Sequence, residues 1–271
     1  MAVIAIKLGG ELLLPASRDE ARAIAGDVAR LVARGERVVI VHGGGPQATE
    51  LSKRLGIEPR MVAGRRITDE ATLEVMKMTV AGRVNVDLCA LLASCGVRAV
   101  GLSGAIRAHK RPPRVVAGGG PDPIDFGHVG DVIGFDLELL ASLGAAGRVP
   151  VLASLGLDPE SGAVFNINAD VVATQLAAAL PADKLLLITG TPGVLGDVKD
   201  PTTRIPRLSR EEGKRAIADG RVGGGMIPKL EEAFGALDAG VREIHILGKL
   251  APGDLVHAVD QPGDVGTVLL P

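Results

Sequence analysis

Two glycine-rich stretches each follow a short run of apolar residues. The first reads IKLGGE, with Gly9 and Gly10, and the second reads VVIVHGGGPQ, with Gly43 to Gly45. Glycines after a strand let backbone N–H groups approach a ligand closely, and the start of a following helix adds positive potential. This combination favours an anion, most simply a phosphate. A tight strand-to-helix turn also needs a glycine, but it seldom needs three in a row.

Several other classes of protein that use glycine motifs are excluded, because their complete motifs are missing from this sequence. The chain has no G-x-x-x-x-G-K-[ST] segment, so it is not a P-loop protein. GGGPQA satisfies a degenerate G-x-G-x-x-A fingerprint, but it follows the second strand, and no acidic residue ends a strand about 20 residues later. HGGG also forms the oxyanion loop of some esterases, whose G-x-S-x-G motif is absent here. Phosphate binding outside these classes is therefore the favoured interpretation.

The elements that must position these loops alternate along the whole chain. Apolar runs predict the strands Val3–Lys7, Arg37–Val41, Val97–Leu102, Val149–Ala153, Lys184–Thr189, Glu243–Leu247 and Thr267–Leu270. Helical periodicity predicts the helices Asp19–Ala33, Pro46–Leu55, a long helix capped by Thr68, Ala169–Leu180, Arg210–Asp219 and Lys229–Ala239.

Alternating strands and helices predict an α/β fold. We expect a three-layer αβα sandwich with a central, mostly parallel sheet. The segment from Arg107 to Val132 is rich in Gly and Pro, and it is expected to form a hairpin and loop over one edge of the sheet. Because no linker separates two domains, two lobes on one continuous sheet are expected.

Composition limits the partners. The chain has Lys+Arg 30 against Asp+Glu 32 and contains no Trp or Tyr, so nucleic acid is not an expected partner. Its two cysteines, Cys89 and Cys95, fit neither a CxxC motif nor a disulfide scaffold. No signal peptide and no apolar run of about 18 residues is visible, so we expect a cytoplasmic protein without membrane contact.

The two glycine loops, with KLGG at the first strand, resemble the amino-acid kinase family. Four further segments, MVAGRRITDEATLEVMKMTVAGRVN, GHVGDV, VFNINADVVATQLAAAL and GGGMIPKLEEAF, are similar in content and order to the N-acetyl-L-glutamate kinases of that family. The resemblance extends from Ile4 to Leu270. It implies one amino-acid kinase domain over 1–271, with an acceptor-binding lobe over 1–167 and a nucleotide-binding lobe over 168–271.

The resemblance implies ATP-dependent phosphorylation of the γ-carboxylate of N-acetyl-L-glutamate, in arginine biosynthesis. Such a transfer needs charge neutralisation and in-line placement, since a carboxylate is already nucleophilic at neutral pH. Lys7 and Lys229 are implied as the cations that contact the phosphates, and Asp170 as the group that holds both. The N–H groups of Gly10 and Gly44 are implied to bind the transferring phosphoryl group.

The acceptor site follows from the same resemblance. Arg66 matches the family arginine, whose guanidinium binds the spectator carboxylate in a fork. Asn166 is similar to the asparagine that binds the α-carboxylate and acetamide region. Gly43 and Gly44 are expected to approach the γ-carboxylate, and we expect any Cβ in this loop to intrude on the ligands. Arg65 is expected to be a surface residue.

The nucleotide contacts are also implied by the family: Lys7, Gly9, Gly10, Thr189, Gly193 and Lys229. Mg²⁺ is expected to arrive with ATP, held largely by phosphates and water. No protein metal site is expected, because the five histidines are scattered. His42 is expected to be structural, whereas His128 is left open between lid packing and pocket lining. Gly190 stands where the family usually has Asp, so we expect altered nucleotide contacts there.

Two alternatives remain open at this point. One is a related kinase that acts on aminoadipate held by a carrier protein, and the other is a catalytically silent amino-acid-binding module. GRRITD and FNINAD resemble the free-substrate form, and a binding-only module has no use for Lys7, Asp170 and Lys229.

Assembly is the last expectation. The long helix from about Asp69 is apolar on more than one side, which is typical of a two-fold contact. The first strand begins at about Val3, which leaves no room for the N-terminal helix of the arginine-inhibited hexamers of the family. A homodimer that is insensitive to arginine is therefore expected.

Overall fold

The computed structural model describes residues 2–116, 118–197 and 199–271. In chain order its strands are β1 (Val3–Leu8), β2 (Arg37–His42), β3 (Met61–Val62), β4 (Arg65–Arg66), β5 (Ala99–Leu102), β6 (Ile106–Lys110), β7 (Gly130–Phe135), β8 (Val149–Ala153), β9 (Leu155–Leu157), β10 (Val164–Asn166), β11 (Lys184–Ile188), β12 (Leu195–Asp197), β13 (Asp200–Arg204), β14 (Arg207–Ser209), β15 (Glu243–Leu247) and β16 (Thr267–Leu270).

The helices follow the same alternation. They are α1 (Arg18–Ala33), α2 (Gly45–Arg54), α3 (Glu70–Met76), α4 (Asn85–Ser94), α5 (Leu137–Ala145), α6 (Ala169–Ala179), α7 (Arg210–Ala218), α8 (Met226–Asp238) and α9 (Asp254–Asp260). A π-helical segment, Lys77–Val84, joins α3 to α4, and a short 3₁₀ helix, Gly10–Leu13, follows β1. No helix within the described ranges is long and apolar enough to cross a membrane.

One continuous sheet carries the fold. Its eight strands lie in the order β14-β16-β15-β11-β1-β2-β8-β5. Its neighbouring strands are parallel, except for the antiparallel pair β15 and β16. The predicted central, mostly parallel sheet is therefore confirmed.

Alternation along the strands divides the core into two layers. Ala5, Val39 and Leu187 face a cluster with α6 and α8, whereas Ile4, Ile6 and Ile40 face a cluster with α1, α4 and α9. Both faces of the sheet are therefore covered by helices, as the apolar runs of its central strands require. This arrangement is the predicted three-layer sandwich.

A second, four-stranded sheet was not anticipated. It has the order β10-β9-β6-β7 and contains the hairpin expected within 107–132, here built from β6 and β7. Ala117 of that segment lies outside the described residues. The strand β10 ends at Asn166 and α6 begins at Ala169, so this smaller sheet leads into the candidate site.

The expectation that Thr68 caps the long helix is wrong. The carboxylate of Asp69 accepts from the N–H of Thr72 at 2.9 Å, which caps α3. Thr68 is fully buried, and its carbonyl accepts instead from the N–H of His128 at 2.7 Å. Its backbone therefore ties the start of the helix to the hairpin segment.

Candidate active site

The centre of the candidate site is a carboxylate between two ammonium groups. Asp170 lies in the first turn of α6, Lys7 near the end of β1, and Lys229 in the first turn of α8. The Nζ of Lys7 is 3.0 Å from Oδ1 of Asp170, and the Nζ of Lys229 donates to Oδ2 at 2.7 Å. All three side chains are less than one-fifth exposed, at 9%, 12% and 19% for Lys7, Lys229 and Asp170.

Electrostatics keeps this carboxylate charged. Burial opposes the ionisation of Asp170, but the attraction of Lys7 and then of Lys229 outweighs it and holds the pKa of Asp170 below its ordinary value. Two ammonium charges face one carboxylate charge, so the cluster keeps a surplus positive charge. A surplus of this kind at the carboxyl end of a parallel strand suits an anionic ligand.

The local sequence explains why Asp170 points into the cleft. Asn168 precedes α6, and its side chain accepts from the N–H of Asp170 at 3.0 Å. This cap fixes the first turn of the helix. Sequence reasoning missed Asn168, although an Asn just before a helical pattern is a recognisable cap signal.

The two glycine loops lie side by side because β1 and β2 are parallel neighbours. Leu8 pairs with His42, and the N–H of Gly43 donates to the Leu8 carbonyl at 3.1 Å. An added Cβ on Gly10 would lie 3.0 Å from the Cα of Gly44. Among the turn and loop hydrogen bonds of the described chain, none uses the N–H of Gly10 or Gly44. Both donors are therefore available to an anion.

The expectation that any Cβ in the second loop would intrude on the ligands is wrong for Gly44. An added Cβ there would lie 3.0 Å from Cγ2 of Val80, in the π-helical segment beneath the loop. A Cβ on Gly43 would make only ordinary contacts, 3.6 Å from the Cβ of Ala169. The glycine at position 44 therefore serves close packing of the loop on the helix.

Arg66 has the environment of a carboxylate ligand. Its Nη2 donates to the Gly45 carbonyl at 3.2 Å and to Oγ1 of Thr49 at 2.7 Å. Its Nη1 is buried and has no hydrogen-bond partner within the described residues. Burial lowers the pKa of the guanidinium, but an arginine stays charged in proteins. A buried, charged donor without a partner is costly unless a ligand binds to it.

One cavity joins the predicted residues. It has a volume of about 640 Å³ and is lined by Lys7, Gly9, Gly10, Gly43, Gly44, Arg66, Asn166, Asp170 and Lys229 among others. Nδ2 of Asn166 donates to Oγ1 of Thr68 at 3.1 Å. The structure therefore brings the catalytic and acceptor residues expected from the sequence to one place.

Two predicted nucleotide residues do not line this cavity. The N–H of Thr189 donates to the Leu247 carbonyl at 2.8 Å. Gly193 is buried with φ +143, and an added Cβ would lie 2.6 Å from Oγ1 of Thr267. Gly190 is exposed, and a Cβ there would meet no atom of the described residues within 4 Å. The roles of Thr189 and Gly193 remain predictions.

Sequence reasoning missed several charged residues of the cavity. Arg65, expected at the surface, is half-buried and lines the cavity. The half-buried Arg111 and the exposed Arg114 and Glu232 line it as well. Arg111 is paired with Asp131, with Nε donating to Oδ1 at 2.7 Å. Partial desolvation, with repulsion from Arg111 and Arg65, lowers the pKa of Arg114. Desolvation raises the pKa of Glu232. The RPPR segment was visible only as part of a loop.

The histidines were considered as metal ligands and as parts of the site. His42 is fully buried, its Nε2 lies 2.9 Å from Nδ2 of Asn85, and burial lowers its pKa, so a structural role fits. His128 is half-buried and is not among the cavity-lining residues. Over residues 2–116, 118–197 and 199–271, no three His, Cys, Asp or Glu side chains are grouped so as to hold a metal ion.

Comparison with known proteins places this site in a family. The model of the amino acid kinase family matches residues 2–248. The chain belongs to the amino acid kinase family. The acetylglutamate kinase of Anaeromyxobacter sp. (strain K) is 60% identical to this kinase over 274 residues, which cover 100% of this chain and 99% of the relative. That of Methanocaldococcus jannaschii is 38% identical over 272 residues, covering 98% and 90%. The predicted resemblance to N-acetyl-L-glutamate kinases is confirmed.

Solved structures support the same fold for this kinase. N-acetylglutamate synthase from Neisseria gonorrhoeae, complexed with coenzyme A and N-acetyl-glutamate, superposes with a TM-score of 0.82 at 25% identity. The match covers 100% of this chain and 59% of that one. Carbamate kinase from Giardia lamblia bound to AMP-PNP gives a TM-score of 0.69 at 18% identity, covering 99% and 98%, and bears on the fold alone.

Proposed function

We propose that this kinase transfers the γ-phosphoryl group of ATP to the γ-carboxylate of N-acetyl-L-glutamate, forming N-acetyl-L-glutamyl 5-phosphate. The observation that carries the proposal is the Lys7–Asp170–Lys229 cluster, which shares one cavity with Arg66 and both glycine loops. Full-length relatives named acetylglutamate kinase support the choice of substrate.

The transfer needs no catalytic base, because the acceptor carboxylate is already ionised at neutral pH. Negative charge on the transferring group must be neutralised while donor and acceptor oxygens stay in line. Lys7 and Lys229 supply two cations, and Asp170 lies between them, offsets their mutual repulsion and holds both in place. The free N–H groups of Gly10 and Gly44 would bind the phosphoryl oxygens, as donors do in an oxyanion hole.

The acceptor would lie between Arg66 and the second glycine loop. The unpartnered Nη1 of Arg66 suits the spectator carboxylate, and Asn166 suits the acetamide region. Gly43, next to the end of β2, would approach the γ-carboxylate.

The nucleotide would bind on the side of α6 and α8. We assign this side to a lobe over 168–271 and the acceptor side to a lobe over 1–167, within one kinase domain. Lys7, Gly9, Gly10 and Lys229 line the cavity and fit the phosphates. Thr189 and Gly193 are proposed to contact the rest of the nucleotide.

Mg²⁺ is proposed to enter with ATP. Of the carboxylates that line the cavity, Asp170 is held by two lysines and Asp131 by Arg111, which leaves Glu11 and Glu232. Over the described residues these two belong to no group of three side chains that could hold a metal, so phosphate oxygens and water would be the main ligands. When bound, the ion would neutralise phosphate charge. Lys7 and Lys229 would bind the remaining phosphate oxygens and hold the group in line.

The other functions considered are not favoured. Relatives named acetylglutamate kinase align over nearly the whole chain, which speaks against a carrier-linked aminoadipate substrate. A binding-only module would have no need of two buried lysines around one carboxylate.

A coupled assay for ADP release tests the proposal. N-acetyl-L-glutamate, L-glutamate, L-aspartate and aminoadipate are each supplied with ATP and Mg²⁺, and hydroxylamine traps any acyl phosphate. We expect ADP and hydroxamate in equal amounts with N-acetyl-L-glutamate and little of either with the others. Turnover of free glutamate but not of its acetyl form would contradict the proposed acceptor.

We also predict that the protein is a homodimer, that arginine does not inhibit it, and that it works in the cytoplasm. Light scattering with and without arginine tests the first part. A mass near six times 27.7 kDa, or inhibition by arginine, would contradict it.

A further inference from the structure

Gln47 connects the two glycine loops. It lies in the first turn of α2, directly after the second loop, and is 2% exposed. Its Nε2 donates to the carbonyl oxygen of Gly10 at 2.6 Å. A side chain that follows one loop therefore holds the backbone of the other.

The orientation of this amide follows from its partner. The Gly10 carbonyl can only accept a hydrogen bond, so the NH₂ group of Gln47 must face it. Oε1 of Gln47 is then buried without a partner within the described chain, which is unfavourable. A leucine would fill a similar volume without that unsatisfied oxygen. The advantage of glutamine here is therefore the bond to Gly10.

The contact between the loops is tight. An added Cβ on Gly10 would lie 2.9 Å from Oε1 of Gln47, 3.0 Å from the Cα of Gly44 and 3.0 Å from Cδ of Pro46. A backbone bond from Gly43 to Leu8, at 3.1 Å, joins the same loops just upstream. Two hydrogen bonds thus join the loops on either side of the N–H groups of Gly10 and Gly44. One is the backbone bond from Gly43 to Leu8, and the other is the side-chain bond from Gln47 to Gly10.

We propose that Gln47 is a positioning residue for phosphoryl transfer. By holding the Gly10 carbonyl, it fixes the separation at which the N–H groups of Gly10 and Gly44 bind one phosphoryl group. This inference rests on the proposed function. Gln47 is not among the cavity-lining residues, so it acts through the loops. A displacement of about 1 Å in such a site lowers the rate by about 10²-fold.

Gln47→Glu tests the link without changing the shape of the side chain. At high pH its carboxylate would face the Gly10 carbonyl oxygen and repel it. Once protonated, the same group donates an O–H and restores the link, and burial raises the pKa of such a carboxyl. We expect kcat to fall about 10- to 100-fold at pH 8, with each KM changed less than about 3-fold. Relative to the unmodified enzyme, kcat should recover as the pH falls towards 6.

Two further variants complete the experiment. Gln47→Leu removes the donor at every pH, so its kcat should be low and should show no recovery. Gln261→Glu makes the same chemical change at an exposed position after α9, and it should match the unmodified enzyme throughout. Thermal unfolding of each variant shows that the molecules assayed are folded.

The outcomes separate the two proposals. If the unmodified chain does not phosphorylate N-acetyl-L-glutamate, the proposed function fails. If it does, and Gln47→Glu keeps kcat within about 2-fold or loses it equally at every pH, the positioning role is wrong. A rise in both KM values in proportion to a lower melting temperature would likewise mean that Gln47 only stabilises the fold.

Discussion

Two carboxylates in this molecule each lie between two basic groups, at opposite ends of the same sheet. Asp170 lies between Lys7 and Lys229. Glu243 contacts Lys184, the first residue of β11, and Nε2 of His245 at 3.2 Å. The first cluster borders the cavity at the carboxyl end of β1, whereas the second is at the amino ends of β11 and β15.

The second cluster is internally neutralised. Lys184 pairs with Glu243 in the strand register, so two neighbouring strands build the ion pair. Burial lowers the pKa of His245, which is therefore neutral and donates from Nε2, while its Nδ1 has no partner in the described chain. These three residues are not among those that line the cavity. One cation faces one carboxylate, and no positive charge is left over.

The first cluster differs from the second in the elements that form it and in its balance of charge. It joins a strand and two helices that are distant in sequence, and it has two cations for one carboxylate. A carboxylate between two bases is therefore not by itself a sign of catalysis. Surplus charge that faces a cavity at the carboxyl ends of the strands is the feature that distinguishes the proposed catalytic cluster.

Removing one lysine from each cluster gives the largest predicted contrast. Lys7→Ala or Lys229→Ala should lower kcat by about 10²-fold or more, because each removes a cation from the transferring phosphoryl group. Lys184→Ala should leave kcat within about 2-fold and lower the melting temperature instead. Steady-state kinetics and thermal unfolding check both. A near-normal kcat for Lys7→Ala or Lys229→Ala would mean that the two clusters do not differ in function.

Neutralising the two carboxylates makes a matched second pair. In Asp170→Asn the two ammonium groups lose the charge between them and repel each other, so kcat should fall by about 10-fold or more. Glu243→Gln should leave kcat unchanged. The measurement is kcat at saturating ATP and N-acetyl-L-glutamate. Equal losses in both variants would mean that the clusters are not functionally different.

Arg66 extends the comparison to a cation held by neutral groups. Arg66→Lys keeps the charge but loses the planar fork. We expect KM for N-acetyl-L-glutamate to rise about 10-fold, since a charge-assisted hydrogen bond contributes about 1.5–3 kcal/mol. KM for ATP should change little. Equal rises in both KM values would show that Arg66 is not an acceptor ligand.

The last predicted effect is on stability and leaves kcat unchanged: a pH dependence at the second cluster. The hydrogen bond from His245, followed by the bond and attraction of Lys184, lowers the pKa of Glu243 from 4.5 to about 2. Because the folded-state pKa is depressed, this contribution is present above pH 4.5 and is lost as the pH falls towards 2. Burial lowers the pKa of His245 below 6.5, so its contribution is also lost on acidification.

Denaturant unfolding of the unmodified chain and of Glu243→Gln, between about pH 5 and about pH 2, measures this effect. The variant should be less stable at the upper end and should lose less stability on acidification. Parallel curves for the two proteins would show that Glu243 has no depressed pKa in the fold.

The sequence was sufficient for the elements that repeat a simple pattern. The central strands are apolar on both faces, so β1, β2, β8, β11 and β15 were found within a residue or two. The roles of Lys7, Asp170 and Lys229 could also be predicted, because each residue lies in a family motif and the motifs follow a fixed order. Neither their distances nor their shared cavity could be read from that order.

Residues whose role depends on where the side chain points in the folded chain were missed. Only Arg66 matches the family position, so its neighbour Arg65 was expected at the surface. The β3–β4 hairpin has only two residues in each strand, and both arginines line the cavity. Asp69 was missed as a cap because Thr68, one residue earlier, is equally suitable by type. Tertiary contact with the hairpin segment decided between them.

The shared sheet has a mechanical consequence for catalysis. β1 belongs to the proposed acceptor lobe and β11 to the proposed nucleotide lobe, yet they are paired from Ile4 and Lys184 to Leu8 and Ile188. The two lobes are therefore joined by the hydrogen bonds between β1 and β11, and not by a flexible linker as in a hinged enzyme. Rotation of one lobe against the other must then be spread as small changes in strand twist, which averages about 20–25° between neighbours. If the lobes rotate in this way, the substitutions that slow the rotation should be scattered through the residues packed against β1 and β11.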